Sequence, residues 1–169
     1  MAAGLFYHDV LAALSRAGVP FVVVGGLAVN LHGVPRFTAD VDVAVAFEGG
    51  ELARAAEVLE RLGLRCRLPV SRIDLADADT VRSWIADRNL SAVTFADPDE
   101  PLREVDLVVA SPIPFEEMAR TAVQMSAAGV AFAVASIDAL IRMKSGTGRE
   151  QDASDVDALL RVQKAARGP

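Results

Sequence analysis

Apolar residues recur along the chain at two periods, and the switches between them divide it into elements. Leu5, Phe6, Val10, Leu11 and Leu14 follow the spacing of one helix face, which predicts a helix over about 3–17. Gly18 and Pro20 end it. Phe21 to Val24 is an unbroken apolar run that suits a buried strand. Gly25-Gly26 breaks that run, and Leu27 to Leu31 resumes with helical character. Val41, Val43 and Val45 then alternate with Asp40, Asp42 and Ala44, the period of a strand with one apolar face. After Gly49-Gly50, an amphipathic helix is marked by Leu52, Ala55, Ala56, Leu59 and Leu62, with Gly63 as its C-terminal cap and Leu64 folding back.

The second half is less regular. Residues 65–78 read as a short strand and a loop, and Asp79 or Thr80 as the cap of a helix to about Asp87. Asn89 to Phe95 and Leu102 to Ala110 read as two strands of a hairpin around the turn Asp97-Pro98-Asp99-Glu100-Pro101. A short helix follows Pro112 and Pro114, and Val130 to Ala135 is a weak strand. Ser136 caps a helix through Lys144, Gly146 and Gly148 break it, and a last helix runs from about Gln151 to Ala166, with a frayed tail at Arg167-Gly168-Pro169. These alternating elements predict an α/β (α+β) fold, a small mixed sheet flanked by helices. One domain of 169 residues is expected, with helices at about 136–166 packed on it.

Composition narrows the class. Hydrophobic residues make up 52% of the chain and aromatic residues 5%, so a core of Ala, Val and Leu is affordable and disorder is excluded over most of the length. The net charge of -6 excludes a protein that coats nucleic acid by charge alone. A local basic groove from Arg36, Arg142, Lys144 and Arg149 stays open. The lone cysteine, Cys66, rules out an internal disulfide. Its neighbours Arg65 and Arg67 would lower a thiol pKa, against the plainer reading of a half-buried edge-strand residue. Asp9 and Arg16 interrupt the first apolar stretch, and no run of about 18 apolar residues exists, so no signal peptide or membrane span is expected and a cytoplasmic location is the default.

The candidate chemistry lies on the polar faces of the strands. Asp40 and Asp42, two apart, point to the same side. At about 4 Å and an effective dielectric near 20 such a pair repels by about 4 kcal/mol, which invites a cation. With only oxygen ligands nearby, that cation is magnesium or manganese. Asp106 is one more acid on an otherwise apolar strand, Val105, Leu107 and Val109 forming the other face. Provided the two strands are neighbours, three carboxylates converge and suffice for two metal ions bridging a triphosphate. Gly25-Gly26, at a strand end opening a helix, allows close approach of a phosphate. The plain alternative for each acid is a solvated strand face. His8 and His32 are not expected to be ligands, and neither a Gly-x-Ser-x-Gly turn nor a Walker A string is present.

Gly25-Gly26, then Thr38-Ala39-Asp40-Val41-Asp42-Val43, then Val105-Asp106-Leu107, resembles the DNA polymerase beta-like nucleotidyltransferase superfamily. The string from Arg36 and the C-terminal Leu140 to Lys144, Gly148-Arg149 and Gln151-Asp152-Ala153-Ser154-Asp155 are similar to its minimal bacterial branch, which includes the type IV abortive-infection toxins; Gln151 stands where that branch usually has lysine. The resemblance implies a two-magnesium enzyme moving a nucleoside monophosphate from an NTP to a hydroxyl. It implies metal ligation by Asp40, Asp42 and Asp106, with Asp106 also a general base. Gly25, Gly26, Arg36, Thr38, Lys144, Arg149 and Asp152 would then face the nucleotide. A tRNA 3′ end or a cognate toxin or antitoxin protein is the expected acceptor. A small molecule of aminoglycoside type, or a catalytically inactive nucleotide-binding module, are the alternatives.

Overall fold

Seven strands form one mixed sheet in the order β3-β4-β5-β2-β1-β7-β6 in the computed structural model, which describes residues 3–168, with side chains from residue 7. The strands are β1 (Phe21–Val24), β2 (Asp40–Val45), β3 (Arg65–Cys66), β4 (Ala92–Ala96), β5 (Glu104–Val108), β6 (Val123–Ala127) and β7 (Val130–Val134). The helices are α1 (Ala3–Arg16), α2 (Gly25–Leu31), α3 (Glu51–Arg61), α4 (Arg72–Ala76), α5 (Ala78–Arg88), α6 (Phe115–Thr121), α7 (Ile137–Lys144) and α8 (Glu150–Ala166). The mixed sheet and its helices are the architecture that the hydrophobic periods predict. None of the described helices is long and apolar enough to cross a membrane. The side chains of Leu5 and Phe6 and the terminal Pro169 lie outside the described residues.

Strand alternation sorts the sheet into two faces. Val41, Val43 and Val45 of β2, Val105 and Leu107 of β5, and Val93 and Phe95 of β4 are all buried. Leu52, Ala55, Ala56 and Leu59 of α3 are fully buried with them in one core. Each such Val or Leu contributes about 1.5–3 kcal/mol on leaving water. This locks the register, because a one-residue slip would turn every valine outward. The opposite face of the same strands carries Asp40, Asp42 and Ala44, Glu104, Asp106 and Val108, and Ala92, Thr94 and Ala96. β1 is buried on both faces, as its unbroken apolar run implies.

Several boundaries depart from expectation for local reasons. Asn89 is not strand but the left-handed C-cap of α5, with φ 53°, and β4 starts three residues later. Only Glu104–Val108 of the 102–110 segment pairs as strand. Residues 65–78 hold the short strand but also α4, opened by a capping box: Ser71 Oγ accepts from the Asp74 amide while Asp74 accepts from the Ser71 amide. The N-cap of α5 is Asp77, not Asp79 or Thr80. β6 was not expected: Val123, Met125 and Ala127 do alternate with Gln124 and Ser126, but the strand is an edge and only Met125 packs against the core. By contrast Gly63, with φ 90°, ends α3 as expected, and the Leu64 amide donates back to the Leu59 carbonyl at 3.1 Å. Ser136 likewise caps α7 by accepting from the Ala139 amide at 3.2 Å.

Candidate active site

β2 and β5 are parallel neighbours, and their register places Asp42 directly opposite Asp106 and Asp40 opposite Glu104. Val41, Val43, Val105 and Leu107 are buried on the other face, so Asp40, Asp42 and Asp106 share one side of the sheet. The convergence that the strand pattern made conditional is thus met in register. Their electrostatics agree. Burial pushes the Asp42 carboxyl up to about 6, helped by the Asp106 and Asp40 charges, while Lys144 and the Gly26 amide pull the other way. Asp40 is raised by burial and by Asp106, with Arg67 opposing. Among the described residues no three His, Cys, Asp or Glu side chains close into a ready-made ion cage. The trio is a row of acids on an open face of the sheet.

The two glycines at the start of α2 are explained by what lies against them. Gly25 has φ 63°, and a Cβ there would overlap the Asp42 carboxylate. A Cβ on Gly26 would stand 2.6 Å from Thr38 Oγ1 and 3.1 Å from the Arg36 guanidinium carbon. The pair therefore lets α2 press onto the acid strand, and the Gly26 amide donates to Asp42. Thr38 is fixed from both sides. Its carbonyl accepts from Tyr7 Oη at 2.6 Å, and its hydroxyl donates to the Asp40 carbonyl at 3.3 Å.

A second cluster closes the site from the C-terminal helices. Lys144 Nζ lies 2.9 Å from Asp152 and 2.8 Å from Asp155. Asp155, only 2% exposed, also accepts from Arg36 at 2.5 Å and from Gln151 at 2.9 Å. Asp152 accepts from Thr147 Oγ1 at 2.8 Å. Burial works against the Asp152 charge, but the bonds from Lys144 and Thr147 and the Lys144 and Arg149 charges outweigh it and hold its carboxyl below the usual range. Gly25, Lys144, Thr147, Arg149 and Asp152 line a cavity of about 160 Å³, room for a phosphate group. It adjoins one of about 460 Å³ that shares Lys144, Thr147 and Arg149.

Two residues of the site escaped the sequence reading. Thr94 faces Asp106 across the β4–β5 pair and donates to Asp106 Oδ1 at 2.6 Å. Asp155 was read only as part of a motif, yet it joins Arg36 to Lys144. The proposed basic groove does not form: Arg36 and Lys144 are taken up by Asp155 and Asp152, and Arg142 pairs with Glu117 at 2.6 Å. Arg149 points outward, its side chain 79% exposed and 3.9 Å from Asp152. Cys66 sits half-buried in the edge strand β3, as the plainer reading has it, and burial raises its thiol pKa. His32 Nε2 is held on the Ala135 carbonyl at 2.8 Å, a structural role.

The mixed sheet and its flanking helices share their fold with solved nucleotidyltransferase structures. The chain is similar over 96% of its length to the solution structure of the antibiotic-resistance factor ANT(2'')-Ia, covering 92% of that chain with a TM-score of 0.55 and 17% identity. It is also similar to the crystal structure of ANT(2")-Ia in complex with adenylyl-2"-tobramycin, over 95% of this chain and 94% of that one, with a TM-score of 0.52 and 14% identity. Those proteins are aminoglycoside nucleotidyltransferases. At such identities the likeness is one of fold. No family model and no curated protein matches the chain.

Proposed function

We propose that the protein transfers a nucleoside monophosphate from an NTP to a hydroxyl of a small molecule. The observation that carries this reading is the parallel register that sets Asp42 opposite Asp106, two residues along β2 from Asp40. Three acids on one face, with burial and its neighbours pushing Asp42 up to about 6, suit a site that expects divalent cations. Asp40, Asp42 and Asp106 would hold magnesium, which when bound supplies charge neutralisation of the triphosphate and activation of the acceptor oxygen. Lys144, held at the cavity that Gly25 and Arg149 also line, would face the phosphates. Asp106, one oxygen fixed by Thr94, would take the acceptor proton through the other. The acceptor oxygen bonds to the α-phosphorus, the bond from that phosphorus to its bridging oxygen breaks, and pyrophosphate leaves.

A small acceptor is supported by two points. The structural neighbours include one bound to an adenylylated tobramycin. Of the cations that would have greeted a tRNA end, Arg36 is spent on the buried Asp155 and Arg142 on Glu117. Incubation with α-labelled NTPs, magnesium and separate pools of cell metabolites, tobramycin, total RNA and protein tests the reading. Label entering a small molecule, and none with Asp106→Asn, is the expected result. NTP binding without transfer to any pool would instead make the chain a nucleotide-binding module.

A further inference from the structure

Beside the acid row lies a cavity that the reading above leaves unused. Its volume is about 350 Å³, within the usual range of small-molecule sites. Ala44 and Val108 line it, and these two are paired in the β2–β5 ladder. They follow Asp42 and Asp106 by two positions, so they lie on the same face, about 7 Å further along the strands. The cavity therefore opens at the ends of β2 and β5, one rung beyond the acid pair, where Val45 and Val109 from the opposite face line it as well. Phe47, Ile85 and Phe115 add apolar walls.

Charge decides what enters. Glu48 and Glu116 stand on the rim with Arg82. Arg82 is bound to Glu48 at 3.0 Å and to Asp79 at 2.5 Å and lies 5.9 Å above the Phe47 ring. Glu116 is exposed and has no ion-pair partner among the described residues. The rim is thus net negative, which repels a triphosphate or a nucleic-acid backbone and attracts an amine. The phosphate-sized cavity at Gly25, Lys144 and Arg149 is a separate one, sharing no lining residue with this.

We propose that this cavity is the acceptor subsite, and that the acceptor is a small hydroxyl-bearing molecule with an aromatic or aliphatic body and a protonated amine. The inference rests on the transferase reading and names its substrate class. The body fills the apolar walls, the ammonium pairs with Glu116, and the hydroxyl reaches back along the face to the acid pair. Its oxygen takes the α-phosphoryl group, pyrophosphate leaves and Asp106 receives the proton. A fully polar polyamine sugar makes poor use of such walls.

Aryl amino alcohols, phenylethanolamine and its chain-lengthened homologues, serve as probes with the full chain, magnesium and α-labelled NTPs. Ala110→Trp fills the cavity from one wall, and Glu116→Gln removes the exposed charge without touching the fold. Ala110→Trp is expected to raise KM for the amino alcohol by about tenfold or more, as loss of a buried subsite does. Glu116→Gln is expected to raise it by about threefold, the scale of an exposed ion pair, and to leave the matching neutral alcohols unchanged. The magnesium–NTP thermal shift should be the same in both variants as in the parent. Equal use of the amino alcohols by both variants overturns the proposal. So does transfer confined to tobramycin or RNA, or failure of saturation-transfer NMR to detect the amino alcohols on a chain that binds magnesium–NTP. Absence of any magnesium–NTP shift sinks the transferase reading itself, and this proposal with it.

Discussion

Asp42 is a charge kept at a cost. Its carboxyl titrates near 6 in the folded chain because it is buried beside Asp106 and Asp40, whereas in the unfolded chain it titrates near about 3.9. The folded state therefore holds the proton more tightly. The stability this gives is complete below about pH 4 and is lost as pH rises through about 6, a loss on the order of 3 kcal/mol. Asp42→Asn should escape it. The metal-free variant is expected to match the parent near pH 4 and to melt higher at pH 8, and saturating magnesium with NTP should reverse that order. A metal-free variant that melts lower than the parent at pH 8 would refute the account. Gly25 makes the complementary case. Gly25→Ala meets both a left-handed φ and the Asp42 carboxylate, and should cost about 2–4 kcal/mol, read as a lowered urea midpoint. The three aspartates were legible in the sequence because each stands on the face of a strand opposite its alternating apolar residues. Thr94 was not, since its bond to Asp106 depends on β4–β5 register, which no spacing within either strand reveals.

Elements were readable to the degree that they bury a face. α3 and β2 show clean periods and come out within a few residues of expectation. β6 shows only the short alternation of Val123, Met125 and Ala127, buries little beyond Met125, and depends on β7 offering an edge. The turn between them could still have been suspected: Ala128-Gly129 joins the strands with φ of 48° and 81°, the two positive angles of a tight right-twisting hairpin. A non-glycine residue with φ 48° is strained, so Ala128→Gly should stabilise the protein by about 0.5–1 kcal/mol. Thermal melts check this, and a lowered melting temperature would mean that the hairpin does not form as described. α4 was missed for a different reason. Its capping box uses Asp74 at the third position in place of the more familiar Glu or Gln, and the apolar content of Arg72–Ala76 is too small to show a period.

At the scale of the molecule, the question is how α8, more than a hundred residues from the acid strand in sequence, comes to shape the site. Asp155 supplies the link: it sits 2% exposed and holds Arg36, from the loop before β2, and Lys144, from the end of α7. Gln163 adds a bond from α8 to Asp138 of α7 at 2.7 Å. No local pattern could announce this, because an i,i+3 pair of acids at a helix start looks the same whether it caps the helix or reaches across the fold. The burial makes the bond consequential. Breaking a buried ion pair by removing one partner costs about 3–5 kcal/mol, since the other charges stay behind unpaired. Asp155→Asn should therefore lower stability by about that much and loosen two distant segments together. Amide exchange is expected to rise both over residues 34–40 and over residues 144–158, with β3 and β4 on the far side of the sheet unchanged. Because Lys144 loses one of its two anchors, the KM for the NTP should rise as well. If exchange rose only within α8, Arg36 would be held in place by something else, and the C-terminal helices would be a prop beside the site without being part of its frame.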